Sequence, residues 1–291
     1  MTDLEAITTE EIADWIETTL LVSSTGHLSR DRIDDVASAE IGATPAKVSM
    51  ALQVMSRRSS ILASDYPFMV NEFAVLRRAT TFADAYASLL LLTPRSIARQ
   101  TVRATDTAAM GSLLEEISET ALSNFWGPGG KAINFGYPSK RGRPESFDQA
   151  VVWLAGLMGL QPGRGYRPPR RKDGGVDVVL WRPFSDRRSG FPIALAQCTI
   201  QGETFTKTSD VDLRLWASWL AMDVDPVSLL VIPGTIRAAG PDWGQLSTVV
   251  MLIERLRLIE LLSRGGAALP ENTWLPETVE ALRSLMRGAE L

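Results

Sequence analysis

A chain of 291 residues with 45% hydrophobic and 22% charged residues has a globular balance, and it can build one large domain or two ordinary ones. Its net charge of −4 gives no overall basic signature for nucleic acid. One cysteine, Cys198, and one histidine, His27, exclude an internal disulfide, a cysteine-rich zinc site and a histidine cluster for metal.

The first third reads as helices. Thr9 is the expected cap of a segment that carries Ile12, Trp15, Ile16, Leu20 and Leu21 at helical spacing. Ser29 opens a second helix, and Thr44-Pro45 a third, whose apolar face is Val48, Ala51, Leu52 and Met55. Strand patterns are expected at Ser59 to Ala63, Tyr66 to Val70 and Phe73 to Leu76, with Asn71-Glu72 as a turn. Three helices and a hairpin are the layout of a winged helix, expected over residues 1–80. Its reading helix would be Pro45 to Arg58, with Lys47, Ser49, Gln53 and Arg57 outward, although the acidic segment from Met1 to Glu40 argues for a protein-interaction role.

Helices near Thr81 to Leu92 and Ala108 to Phe125 form a linker region over 81–130, and the remainder, 131–291, reads as an α/β domain. Trp126 to Gly130 is expected to be a loop, as is Tyr137 to Pro144. Glu145 to Met158 is an amphipathic helix stopped by Gly159; Val176 to Trp181 and Ile193 to Ile200 are strands; Asp210 to Ala221 is a helix. Ser228 to Ile232 is a short buried strand, and Thr248 to Leu262 and Pro276 to Met286 are helices. The longest apolar run, around Leu89 to Leu92, is too short to cross a bilayer, and the N-terminus lacks a signal-peptide pattern. No membrane association and a reducing cytoplasm are expected.

The chemistry is expected at Gly174-Gly175-Val176-Asp177 and Gln197-Cys198-Thr199. Asp177 opens a hydrophobic strand, where a carboxylate is costly to bury without a cation or a partner, and Gln197 is polar inside the neighbouring strand. Paired, the two strands would give an oxygen-rich pocket of the kind a hard cation takes. Arg167, Arg170, Arg171 and Lys172 lead into it, and Lys140 and Arg141 belong to a second basic loop; both can meet phosphates.

These residues resemble the PD-(D/E)XK nuclease superfamily, over roughly Glu145 to Gly234. The resemblance implies a restriction-endonuclease-like core with a small mixed sheet flanked by helices. By the family's pattern Asp177, Gln197 and a helix carboxylate, Glu145 or Asp148, hold Mg²⁺ or Mn²⁺. The motif lysine is missing: Thr199 stands in its place, and Lys207 is the nearest substitute, with Lys172 second. The implied activity is a metal-dependent endonuclease that hydrolyses DNA phosphodiester bonds, in bacterial restriction or anti-phage defence. DNA is the implied partner, beside an ATPase or helicase, and the family admits a homodimer. The rival reading is an inactive nuclease fold used as a DNA-binding or protein-interaction subunit, and a DNA-binding regulator acting through Pro45 to Arg58 is a third. Singly, Asp177 can be a turn residue, Gln197 a satisfied core amide, Cys198 a small core hydrophobe and His27 a surface residue. The segment Gly127 to Lys131 lacks the phosphate-loop spacing, so nucleotide hydrolysis is not expected.

Overall fold

The computed structural model describes residues 7–96, 99, 107–138, 141–202, 204–208, 210–237, 240–266, 269 and 273–286. Lys140 lies outside them. The chain is α/β and forms two compact units. One is Met1–Thr105 with Gly234–Arg237 and Pro270–Leu291, and the other is Asp106–Pro233 with Ala238–Leu269.

The first unit runs α1 (Thr9–Val22), β1 (His27–Ser29), α2 (Arg30–Ile41), α3 (Pro45–Leu62), β2 (Phe68–Val70), β3 (Ala74–Arg77) and α4 (Ala83–Leu92). The cap of α1 is Thr8, not Thr9: Thr8 and Glu11 form a reciprocal capping box, which satisfies two otherwise orphaned N–H groups. Ser29 and Thr44 cap α2 and α3 as expected, with Pro45 in the first turn of α3.

The strand expected at Ser59 to Ala63 does not form, because α3 continues through Leu62. Arg58 and Leu62, four residues apart, are both buried on its inner face, so helical burial outweighs the local strand preference. β1, β3 and β2 then make an antiparallel sheet in that order. Between β2 and β3, the Asn71 side chain accepts from the N–H groups of Phe73 and Ala74 and fixes the turn.

Polar contacts also sit inside this unit. The Arg58 Nη1 reaches Asp14 and Glu17, each at 2.7 Å, and its Nη2 donates to Thr235 Oγ1 at 2.8 Å. Tyr66 and Tyr86 donate to the Glu17 carboxylate as well, one hydroxyl to each oxygen. Burial alone would weaken the Arg58 charge, yet Glu17 and Asp14 outweigh it and hold the guanidinium well above its ordinary pKa.

The second unit contains α5 (Thr107–Leu122), β4 (Lys131–Asn134), α6 (Phe147–Met158), β5 (Val178–Trp181), β6 (Ile193–Cys198), α7 (Thr204–Lys207), α8 (Leu213–Trp219), β7 (Val227–Val231), α9 (Pro241–Ser247), β8 (Met251–Ile253) and α10 (Arg255–Gly265). A further helix, α11 (Trp274–Met286), returns to the first unit, where Leu275 and Leu282 pack with Val22, Ala87 and Leu91.

The sheet of the second unit has the order β4-β5-β6-β7-β8. β4 and β6 each run antiparallel to β5, whereas β7 and β8 run parallel to β6. Val179, Trp181, Ile193 and Leu195 share one core with α6 and α8. Val178, Leu180, Ala194 and Ala196, of opposite parity, are equally buried, and α5 contacts β4, β5 and β6. The sheet is therefore covered on both faces. Two expectations fail here. β4 lies in a stretch where no strand is expected from sequence, and the helix expected over Thr248 to Leu262 is a strand, β8, followed by α10.

Candidate active site

The Gly-Gly-Val-Asp segment is shaped by what surrounds it. Gly175, at φ +79°, has no room for a side chain: a Cβ there would sit 2.3 Å from the carbonyl oxygen of Asp210. Two core tryptophans of α8 anchor the incoming loop, Trp216 Nε1 donating to Gly174 O at 3.1 Å and Trp219 Nε1 to Arg167 O at 3.2 Å. They stack edge-to-face with each other and with Phe147. The apolar core thus sets the approach of the loop, and the loop sets Asp177.

Asp177 N–H donates to Ala196 O at 2.9 Å, although Ala196 already partners Val178 in the sheet register. Two residues of one strand meet one of the next, a bulge-like step of the kind that re-aims a side chain. The Asp177 carboxylate accepts from the Cys198 N–H at 2.7 Å, and its carbonyl accepts from Phe135 and Gly136 just after β4. Three strands are tied together at this residue.

Around it is a cavity of about 140 Å³, lined by Asp177, Gln197, Glu115, Thr199, Arg171 and Lys207 among others. The two residues singled out on β5 and β6 are therefore brought together, and Lys207 joins them. Glu145 is not: it is exposed and does not line this cavity, and the same holds for Asp148. The helix carboxylate at the site is Glu115 of α5, whose Oε2 accepts from Asn134 Nδ2 at 3.0 Å. Burial, and then the neighbouring Glu115 carboxylate, push the Asp177 carboxyl well above the usual carboxylate range.

Gln197 is buried, and its Nε2 donates to Asp210 Oδ2 at 2.7 Å. Its Oε1 is buried with no hydrogen-bond partner among the described residues. An orphaned carbonyl oxygen beside an uncomfortable carboxylate fits a hard cation, which takes oxygen ligands of both kinds. Among the described residues, no group of three or more histidine, cysteine, aspartate or glutamate side chains is arranged to hold a metal ion. A cation here would need the Gln197 carbonyl as well as the carboxylates of Asp177 and Glu115.

Asp210 also receives Arg171 Nη2 at 2.9 Å and Lys207 Nζ at 3.5 Å. Thr199 is buried, and its hydroxyl accepts from the Gln201 N–H at 3.1 Å, so it closes a turn and supplies no charge. Burial, with Asp177 adding to it, pushes the Cys198 thiol well above its ordinary value, as suits an unreactive sulfur.

The basic residues divide. Arg170 and Arg171 line a second cavity, about 290 Å³, that shares Arg171 and Gly175 with the first and is bounded by Asp210, Asp212 and Trp219. Arg167 is exposed, 3.9 Å from Asp212. Lys172 turns away to Tyr137, donating to its hydroxyl at 3.0 Å, and Arg141 pairs with Glu119 at 3.0 Å. Neither Lys172 nor Arg141 lines the two cavities.

Glu115 and Asp210 are site residues that sequence reasoning missed. The signal for Glu115 is its place on a helix preceding the first strand of the sheet, which is visible only once β4 is seen. No described helix is long and apolar enough to cross a membrane. No protein-family model matches the chain, and neither a curated protein nor a solved structure matches it.

Proposed function

We propose that this protein is a Mg²⁺- or Mn²⁺-dependent endonuclease acting on DNA, with a restriction-endonuclease-like second unit. The observation that carries the reading is the convergence of Asp177, Glu115 and Gln197, whose side-chain carbonyl has no partner among the described residues, on one cavity, with Lys207 in its wall. The order of elements supports it: helix α5, antiparallel β4-β5-β6, helix α8, then β7 parallel to β6. The resemblance to PD-(D/E)XK nucleases rests on helix, strand, strand, helix and strand, which are α6, β5, β6, α8 and β7 here, while α5 and β4 stand ahead of that stretch.

Asp177, Glu115 and Gln197 would hold the cation. Bound there, it supplies an activated water for in-line attack on a phosphodiester. Lys207, in the wall of the same cavity, would take the part of the missing motif lysine and balance the negative charge that develops on the phosphate. Arg170 and Arg171, which line the adjoining cavity, would meet the neighbouring phosphate. The test is incubation of supercoiled plasmid DNA with the purified protein and Mg²⁺ or Mn²⁺. Nicking or cutting is expected, and Asp177→Ala is expected to abolish it. Cutting that survives in Asp177→Ala overturns the assignment.

The second reading, a nuclease-like subunit that binds without cutting, draws on Thr199, which cannot supply the motif charge. The first unit is consistent with a winged helix in the order α1, β1, α2, α3, β2, β3 and in its β1-β3-β2 sheet. Gln53 and Arg57 are exposed on α3, but so are Met50 and Ile61, which favours docking of a protein over reading of DNA. This reading predicts DNA or partner binding that is indifferent to divalent metal.

A further inference from the structure

We infer that Asp210 is a positioning residue that fixes which end of the Gln197 side-chain amide faces the metal site. The inference rests on the nuclease reading above. A glutamine can serve a cation only through its carbonyl oxygen, yet its side chain is nearly symmetric and can turn over. What decides the orientation is the partner at the other end.

Asp210 Oδ2 lies 2.7 Å from Gln197 Nε2. An ionised carboxylate only accepts hydrogen bonds, so the reverse orientation would set two oxygens against each other at that distance. The NH₂ is therefore committed to Asp210, and Oε1 is left buried and unpartnered in a residue that lines the cavity. Arg171 at 2.9 Å and Lys207 at 3.5 Å pair with the same half-buried carboxylate.

Gly175 fixes the backbone of Asp210, since only a residue without a side chain allows the approach. The negative charge that a strand glutamate would bring to the cation is in this chain carried one residue outward, on Asp210. Outer-shell partners of this sort tune ligands without touching the metal.

The experiment is Mn²⁺ titration of the full chain by calorimetry, with a thermal melt of each variant as the check of folding. In Asp210→Asn the new side-chain amide can either accept from Gln197 or donate to it. The substitution therefore releases the glutamine amide to turn over and removes the charged acceptor that makes its carbonyl a better ligand, and Mn²⁺ affinity is expected to fall roughly 10–100-fold, as for the loss of other outer-shell partners. The exchanged pair, Gln197→Glu with Asp210→Asn, restores one carboxylate and one fixed donor, because the introduced amide then has only an acceptor to face. Its affinity is expected to return to within about threefold of the wild type, a margin well inside the outer-shell effect.

A merely structural role for Asp210, as the anchor of Lys207 and Arg171, predicts a double variant as weak as Asp210→Asn. That result overturns the inference, as does an Asp210→Asn variant that binds like the wild type. If Asp210→Asn alone fails to fold, the double variant decides: folding with Mn²⁺ binding supports the pairing, and failure to bind overturns it. A wild type that takes no Mn²⁺ overturns the metal reading, and this inference with it. That failure is distinguished by being present before any substitution.

Discussion

Replacing Gly175 by alanine separates two costs that usually arrive together. The new Cβ would lie 2.3 Å from the Asp210 carbonyl oxygen and 2.8 Å from its carbon, against a carbon–oxygen contact distance of about 3.3 Å. Backbone must move by about 1 Å to restore that contact distance. The left-handed φ of +79° adds about 1–2 kcal/mol for any residue with a side chain, and overpacking adds about 1–3 kcal/mol.

Gly159 is the control. It also sits at positive φ, +74°, as the cap of α6, but a Cβ there meets nothing within 4 Å. Gly159→Ala should therefore cost only the strain, about 1–2 kcal/mol, and Gly175→Ala about 2–5 kcal/mol. Urea denaturation of both variants measures the difference, and their shared change in unfolded-chain entropy cancels. Because the displaced group is the backbone of Asp210, Gly175→Ala should also lose Mn²⁺ binding while Gly159→Ala keeps it. Equal midpoints for the two variants, with Mn²⁺ binding intact in Gly175→Ala, would refute the claim that this loop holds the site.

Other outcomes follow from the same contacts. The folded-state pKa of Asp177 is raised above its unfolded value, so its charge costs stability once pH exceeds the ordinary aspartate range near about 4. In the absence of metal, Asp177→Asn should melt higher than the wild type at pH 7, with the gain shrinking toward pH 4; a variant that melts lower at pH 7 contradicts the assignment of strain to this carboxylate. With Mn²⁺ at about 100 times its dissociation constant the order should reverse, since binding adds about 2.7 kcal/mol to the wild type alone. Arg58→Met leaves Asp14 and Glu17 without their buried counter-charge, and should destabilise by about 3–5 kcal/mol in chemical denaturation; a change below about 1 kcal/mol would show the network to be dispensable. Lys207→Ala should abolish plasmid cutting, and adding Thr199→Lys should return part of it, because both side chains line the same cavity; full activity in Lys207→Ala would remove the lysine from the reaction.

The sequence was most legible where a residue type is forced by geometry. Gly159 stops α6 in the left-handed conformation, Thr44-Pro45 starts α3, and the Gly-Gly-Val-Asp segment stands at the strand entry where those glycines are needed. Asp177 and Gln197 stood out because polar groups in apolar strands require an explanation. The elements that were missed are short. β4 has four residues and β8 three, and neither length can display a period that distinguishes a strand from a loop or a helix.

β4 decides which helix acid belongs with Asp177. Without it, the helix beginning near Glu145 comes first in the core, and Glu145 takes the part of the helix acid. With β4 in place, α5 precedes the sheet and Glu115 is the carboxylate beside Asp177. Asp210 was illegible for a different reason. Its importance lies in contacts to Gln197, 13 positions away, and to Arg171 on the loop before β5, and no local pattern marks such a convergence.

Asp177, Glu115 and the Gln197 carbonyl are proposed to form one cation site. Anomalous diffraction from crystals soaked in Mn²⁺ tests it directly. One strong peak is expected within coordination distance of all three side chains, absent from Asp177→Asn crystals; a map with no peak there, or with manganese bound only elsewhere, would rule the site out.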